Sequence, residues 1–122
     1  MSDERKALVN LATGLEDAER VTIAFLIAGQ AANEGRDTLM FLTKEAVRLA
    51  TSGFAHGVAC DGCPAIETLF TQYANAGGRL LVCPICFTAR KLAPETLTAN
   101  ATIGGATALW QWIGDNATVF SY

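Results

Sequence analysis

The stretch Arg79-Leu80-Leu81-Val82-Cys83-Pro84-Ile85-Cys86 decides the fold. A short apolar run ends in a cysteine, and a second cysteine follows at C-x-x-C spacing. Gly77-Gly78 precedes the run, and a helix-compatible segment from Cys86 to Leu92 follows it. Such a run, bounded by glycines, reads as a buried strand. Proline is favoured at a first helical position, so Pro84 marks the start of a helix. Cys83 is then carried to the carboxyl end of a strand, where open α/β sheets bind and react. Free N–H groups and the positive dipole end of that helix would favour a thiolate at Cys83.

The rest of the chain repeats the same alternation. Lys6 to Thr13 reads as a first strand, closed by Gly14. Thr13 and Glu16 have capping-box spacing, and helix one follows over about Glu16 to Asn33. Val21, Phe25, Ala28 and Ala32 define its core face, and Ile23, Leu26 and Ile27 widen it towards a second covered side. Asp37 to Thr43 is the second strand, followed by a helix over about Glu45 to Thr51. Ser52 to Gly62 is a glycine-rich loop holding His56 and Cys60, and loops of this kind often carry function.

Helix three starts at Pro64, with Ile66, Leu69, Phe70 and Tyr73 at helical spacing. Strand three is Arg79 to Cys83, and Leu97 to Thr102 is a weaker fourth strand. The last helix, about Ile103 to Gly114, buries Ala106, Leu109, Trp110 and Ile113, and Ala117 to Tyr122 is the fifth strand. Strands alternating with helices imply right-handed crossovers. The expectation is one three-layer α/β domain over residues 1–122: a five-stranded, mainly parallel sheet, helices on both faces, strands one and three central.

Composition narrows the function classes. The 122 residues are 51% hydrophobic and 17% charged, against a typical charged share of about a quarter. Apolar surface must be covered somewhere, so a homo-oligomer of three or more subunits is expected. The net charge of −3 and the lack of a basic patch argue against nucleic acid. The polar Met1 to Lys6 segment does not read as a signal peptide, and no apolar run is long enough to span a bilayer, so a cytosolic protein is expected. In a reducing compartment, cysteines point to metal binding or reactivity before structural disulfides.

Two C-x-x-C pairs stand out: Cys60-Asp61-Gly62-Cys63 and Cys83-Pro84-Ile85-Cys86, with nineteen residues between Cys63 and Cys83. The spacing matches a four-cysteine zinc site made of Cys60, Cys63, Cys83 and Cys86. Against zinc, a whole amphipathic helix and a buried strand separate the pairs, and the core is large enough to fold without metal. A thioredoxin fold is rejected, because the motif follows the third strand rather than an early one, but dithiol chemistry on another fold stays open. The plainest reading of a free cysteine is a small buried hydrophobe. That reading weighs more for Cys60, in an unpatterned loop, than for Cys83 at a strand end. Lys44 and Arg90 are ordinarily surface charges, yet either could stabilise a thiolate or persulfide in the strand-end cleft. His56 reads as a solvated loop residue. Leu11 to Glu16 contains one glycine and is no dinucleotide fingerprint. With all four thiols free, the expected order of alkylation is Cys83, then Cys63 or Cys86, then Cys60.

Taken together, these residues resemble the DsrE/DsrF-like family of small sulfur-relay proteins. The resemblance rests on Thr13-Gly14 after the first strand, an alanine-rich first helix, Phe41-Leu42-Thr43 and Gly77-Gly78. It continues through Leu81-Val82-Cys83-Pro84-Ile85-Cys86, Arg90, Gly104-Gly105 and a terminal Ser121-Tyr122. It implies a flavodoxin-like α/β domain that assembles into trimers or hexamers. It also implies that Cys83 carries a persulfide and that Cys86 acts as a second thiol, with sulfurtransferase or sulfur-carrier activity and a protein donor or acceptor. Cys60 and Cys63 lie outside the relay motif. Their expected roles are to gate access or serve as auxiliary thiols. The rival expectation is a homo-oligomeric binding or scaffold protein whose C-x-x-C pairs hold zinc or switch as a dithiol.

Overall fold

The computed structural model describes residues 5–122. Among these residues there are five strands: β1 (Lys6–Leu11), β2 (Asp37–Leu42), β3 (Arg79–Val82), β4 (Ala101–Ile103) and β5 (Thr118–Ser121). Four α-helices join them: α1 (Ala18–Asn33), α2 (Ile66–Asn75), α3 (Pro84–Ala89) and α4 (Ala106–Ile113). Short 3-10 turns cover Leu15–Asp17, Lys44–Ala50 and Pro94–Thr96. The segment expected as a helix after β2 is thus a 3-10 run, and the third helix begins at Ile66, two residues after Pro64.

The strands form one sheet in the order β4-β3-β2-β1-β5, and every neighbouring pair is parallel. All three of the strongly apolar strands are interior, as their two-sided burial requires. The middle place belongs to β2, flanked by β1 and β3. The chain steps outward from β1 to β4 and then returns to lay β5 on the free side of β1. With right-handed crossovers, that return puts α4 on the opposite face from α1 and α2.

Alternation along each strand divides the core in two. Val9 and Leu11, Met40 and Leu42, and Leu80 and Val82 face α1, α2, the 3-10 run and Phe87 of α3. Leu8, Leu39 and Leu81 face the other way, onto Ala108, Leu109, Trp112 and Ile113 of α4. The two layers are unequal. No residue of α4 is fully buried, and every residue of β5 is exposed. Trp110, expected in the core or at a subunit interface, is 69% exposed, and Ala106, expected to be buried, is exposed as well. The contacting stripe of α4 is 108, 109, 112 and 113, which turns Trp110 outward. Lys6 helps set this rotation: its Nζ lies 2.7 Å from the Trp112 carbonyl oxygen and 5.5 Å from the Trp112 ring centroid. A cation at those last carbonyls complements the helix dipole.

Tyr73 anchors the other layer. Its ring meets Phe25 edge-on, and its hydroxyl donates to the Arg79 carbonyl at 2.6 Å. Burial pushes the phenol far above its usual titration range, so it stays a neutral donor. A Cβ at Gly78 would run into the Tyr73 ring, which accounts for glycine there.

Candidate functional site

The carboxyl edge of the sheet is assembled from the ends of β1, β2 and β3. Cys83 follows Val82 directly and is the N-cap of α3, with Pro84 in its first turn. Its N–H donates to the Leu42 carbonyl at 3.0 Å, which continues the β2–β3 ladder. Its carbonyl accepts from Phe87 N–H at 3.0 Å, which begins the helix. Two backbone bonds from two elements therefore fix the residue that carries the thiol. Cys86 lies in the first turn of α3. Both cysteines are free, and both are partly buried against the main core cluster. Ile85, between them, is 79% exposed, so the turn that carries both thiols opens to solvent.

The end of β2 supplies Thr43, Lys44 and Glu45. Lys44 is exposed and has φ +52°, a left-handed conformation uncommon outside glycine, and it turns the chain sharply into the 3-10 run. Glu45 then bridges two arginines. Arg90 Nε donates to its Oε2 at 2.5 Å and Arg48 Nε to its Oε1 at 2.9 Å. These two donors hold the Glu45 carboxyl below the usual carboxylate range. Arg90 also donates to the Cys86 carbonyl at 3.2 Å. The helix ends at Ala89, so Arg90 can fold back along it and tie α3 to the 3-10 run. Expected as a thiolate partner, Arg90 is engaged by Glu45 and by the Cys86 backbone.

The end of β1 closes the edge. Gly14 donates its N–H to Glu16 Oε1 at 2.9 Å, only two residues on, so the expected Thr13–Glu16 capping box does not form, and Asp17 instead caps α1 by accepting from Arg20 N–H. A Cβ on Gly14 would stand 2.8 Å from the Glu45 carbonyl oxygen. Glycine there lets the ends of β1 and β2 close up. The sequence places Thr43-Lys44-Glu45 beside the strand-end site but shows neither the pairing of Glu45 with Arg90 nor this contact. The Arg90 partner and the Gly14 packing are long-range facts that no local spacing encodes.

The other cysteine pair is bonded to itself: Cys60 and Cys63 form a disulfide. The expectation of two free thiols here is therefore not met. Gly62, at φ +74°, lets the chain turn back on itself within four residues, and Cys63 N–H meets the Cys60 carbonyl at 3.0 Å. Cys60 Sγ lies 3.7 Å from Thr22 Oγ1 on α1. His56 is a solvated loop residue, 3.4 Å from the Glu67 carboxylate. Among the described residues, no three His, Cys, Asp or Glu side chains are grouped to hold a metal ion. A four-thiolate zinc site would first need this disulfide opened. A groove of about 460 Å³ runs between α1 and α2, lined by Gln30, Asn33, Gln72 and Asn75 over Phe25 and Leu69. It holds no cysteine and is separate from the sheet edge.

A family model described as the DsrE/DsrF-like family matches residues 6–122. The chain belongs to this family. Among solved structures, the YchN protein from E. coli aligns with a TM-score of 0.70 at 17% identity, over 98% of this chain and 100% of that one. The conserved protein BT1422 from Bacteroides thetaiotaomicron, whose function is unknown, aligns with a TM-score of 0.68 at 16% identity, over 100% and 98%. MTH1491 from Methanobacterium thermoautotrophicum, also of unknown function, gives 0.63 at 11%, over 98% and 100%. At such identities the likeness establishes the parallel-sheet fold and nothing finer. The curated proteins give no match. No helix among the described residues is long and apolar enough to cross a membrane.

Proposed function

We propose that the chain is a cytosolic sulfur carrier that holds sulfane sulfur as a persulfide on Cys83. The observation that carries the reading is the position of a free, backbone-anchored thiol at the carboxyl end of β3, with a second free thiol in the following helical turn. Membership of a sulfur-relay family supports it. In the loading step the Cys83 thiolate attacks the terminal sulfur of a donor persulfide, and the donor leaves as a thiolate. The sulfur then goes to an acceptor thiol by the same displacement. Alternatively, the Cys86 thiolate attacks Cys83 Sγ, hydrosulfide leaves with the electron pair, and a Cys83–Cys86 disulfide forms. An external thiol reductant returns that disulfide to two thiols.

The working form is proposed to be a homo-oligomer. The apolar residues left exposed on α4, β4 and β5, namely Trp110, Ile103, Val119 and Phe120, support this, as does the low charge of the chain.

Intact mass after incubation with a small-molecule persulfide donor tests the carrier reading. One added sulfur is expected on Cys86→Ser, one added sulfur or a Cys83–Cys86 disulfide on the wild type, and neither on Cys83→Ser. Sulfur loading that survives in Cys83→Ser would overturn it.

A further inference from the structure

We infer that Cys60–Cys63 is a second reactive site, a disulfide opened and re-formed by exchange with an external dithiol, and that exchange begins at Cys63. The inference does not depend on Cys83. It starts from what the bond does not do. Only two residues separate the cysteines, so the bond removes little chain entropy from the unfolded state. The loop is already closed without it. Ile66 N–H donates to the Val58 carbonyl at 3.1 Å across the neck, and Cys63 N–H donates to the Cys60 carbonyl at 3.0 Å inside it. Gly57 and Gly62 supply the left-handed turns. Neither cysteine belongs to the core cluster or packs against it. A disulfide that neither builds the core nor closes the loop, and that sits on an exposed turn, belongs to the labile, exchange-active kind.

The two sulfurs are not equivalent. Cys60 Sγ faces Thr22, which is 3% exposed on α1. Cys63 Sγ lies against the Asp61 carbonyl on the solvent side of the turn. An incoming thiolate therefore reaches Cys63. It forms a mixed disulfide with Cys63 Sγ, and Cys60 leaves with the electron pair and takes up a proton. The second thiol of the reductant then attacks its own sulfur in that mixed disulfide and releases Cys63. In sum, one dithiol becomes a cyclic or partner disulfide, and the protein gains two thiols. Thr22 favours the reduced form. Its hydroxyl hydrogen is committed to the Ala18 carbonyl at 2.7 Å, so towards Cys60 it offers only a lone pair. A reduced Cys60 can donate S–H to it, and a disulfide sulfur cannot.

The test uses the full chain carrying Cys83→Ser and Cys86→Ser, so that only this pair is counted. The protein is equilibrated in graded mixtures of reduced and oxidised dithiothreitol, quenched in acid and alkylated, and its mass is measured. The expected result is two alkyl groups gained together, along a two-electron course, while the far-ultraviolet circular dichroism stays unchanged. Opening only where the helical signal is lost would overturn the inference, because the bond would then be structural. The wild-type chain, mapped by peptide, gives the same readout if the double variant fails to fold. The order of attack is read from single thiols in the same background. Cys63 in the Cys60→Ser variant should react with an aromatic disulfide at least tenfold faster than Cys60 in the Cys63→Ser variant. Equal or reversed rates would overturn the assignment of Cys63 as the point of attack.

Discussion

Glu45 and Arg90 are forty-five residues apart in sequence and form the ion pair that fastens the cysteine-bearing helix to the end of β2, with Arg90 Nε 2.5 Å from Glu45 Oε2. The same guanidinium reaches the Cys86 carbonyl. The pair therefore sets where α3 lies over the sheet edge, and its state should be visible in both stability and thiol chemistry.

The first prediction concerns pH. The Glu45 carboxyl is held below its usual range by Arg90 first and Arg48 second. A carboxyl whose folded pKa is depressed contributes stability that is fully present above its unfolded pKa and is lost as pH falls through the folded value. Glu45→Gln should therefore melt below the wild type at neutral pH, and the difference should close on acidification below the ordinary carboxylate range. Thermal unfolding followed at a series of pH values checks this. A difference that stays constant into acid would mean that the charge of Glu45 is not what matters.

The second prediction concerns the α2–β3 corner. Gly78 lies under the Tyr73 ring, whose hydroxyl is fixed to the Arg79 carbonyl. The ring is buried between α1 and the sheet and cannot move aside. Gly78→Ala should cost about 1–3 kcal/mol or more through overpacking. Gly77→Ala is the control: its surroundings are open, and only its left-handed backbone, φ +92°, penalises a side chain. Urea unfolding of both variants measures the difference. Equal losses would show that backbone strain, and not the ring, decides this corner.

The three interior strands were legible in the sequence because strands buried on both faces are nearly continuous apolar runs, and β1, β2 and β3 are such runs. Their order was less legible, since which strand takes the middle depends on where the last crossover returns. The rotation of α4 was missed for a related reason. The stripes 106, 109, 110, 113 and 108, 109, 112, 113 are both apolar at helical spacing, and only Lys6 under Trp112 and the contact with Leu8, Leu39 and Leu81 choose between them. At the site, local chemistry could be read and distant pairing could not. Cys83 at a strand end and Pro84 in a first turn are local patterns. The Glu45–Arg90 pair is not, and neither is the way the 60–63 turn faces Thr22.

The outward turn of Trp110 leads to a third prediction. Together with Val119, on the same sheet face of edge strand β5, and Phe120, on the opposite face beside α1, it leaves apolar side chains exposed that a stable assembly would cover. A stable interface buries upwards of about 1,000 Å² in total. Light scattering at micromolar concentration should give a mass of three or more chains for the wild type and a smaller species for Trp110→Glu. Because Trp110 contributes little to the monomer core, circular dichroism of the variant should be unchanged. A monomeric wild type would remove the oligomer from the proposal.

The last prediction concerns which thiol reacts first. The disulfide withdraws Cys60 and Cys63 from reaction, so the competition is between Cys83 and Cys86. Cys83 is held by Leu42 on one side and Phe87 on the other, and it sits where the sheet ends. Cys86 is one turn further, on a helix wall whose carbonyl is pinned by Arg90. Both thiols are partly buried, and the exposed Ile85 between them leaves this turn open to a reagent. With a limiting alkylating reagent at neutral pH, Cys83 should be labelled before Cys86. Cys60 and Cys63 should stay unlabelled until a dithiol is added. Arg90→Met frees the helix from Glu45, so it should narrow the preference for Cys83 without changing the silence of the other pair. Peptide mapping at several reagent ratios reads all three outcomes. If Cys86 is labelled first in the wild type, the strand-end thiol is the shielded one, and the persulfide carrier must be sought on the helix instead.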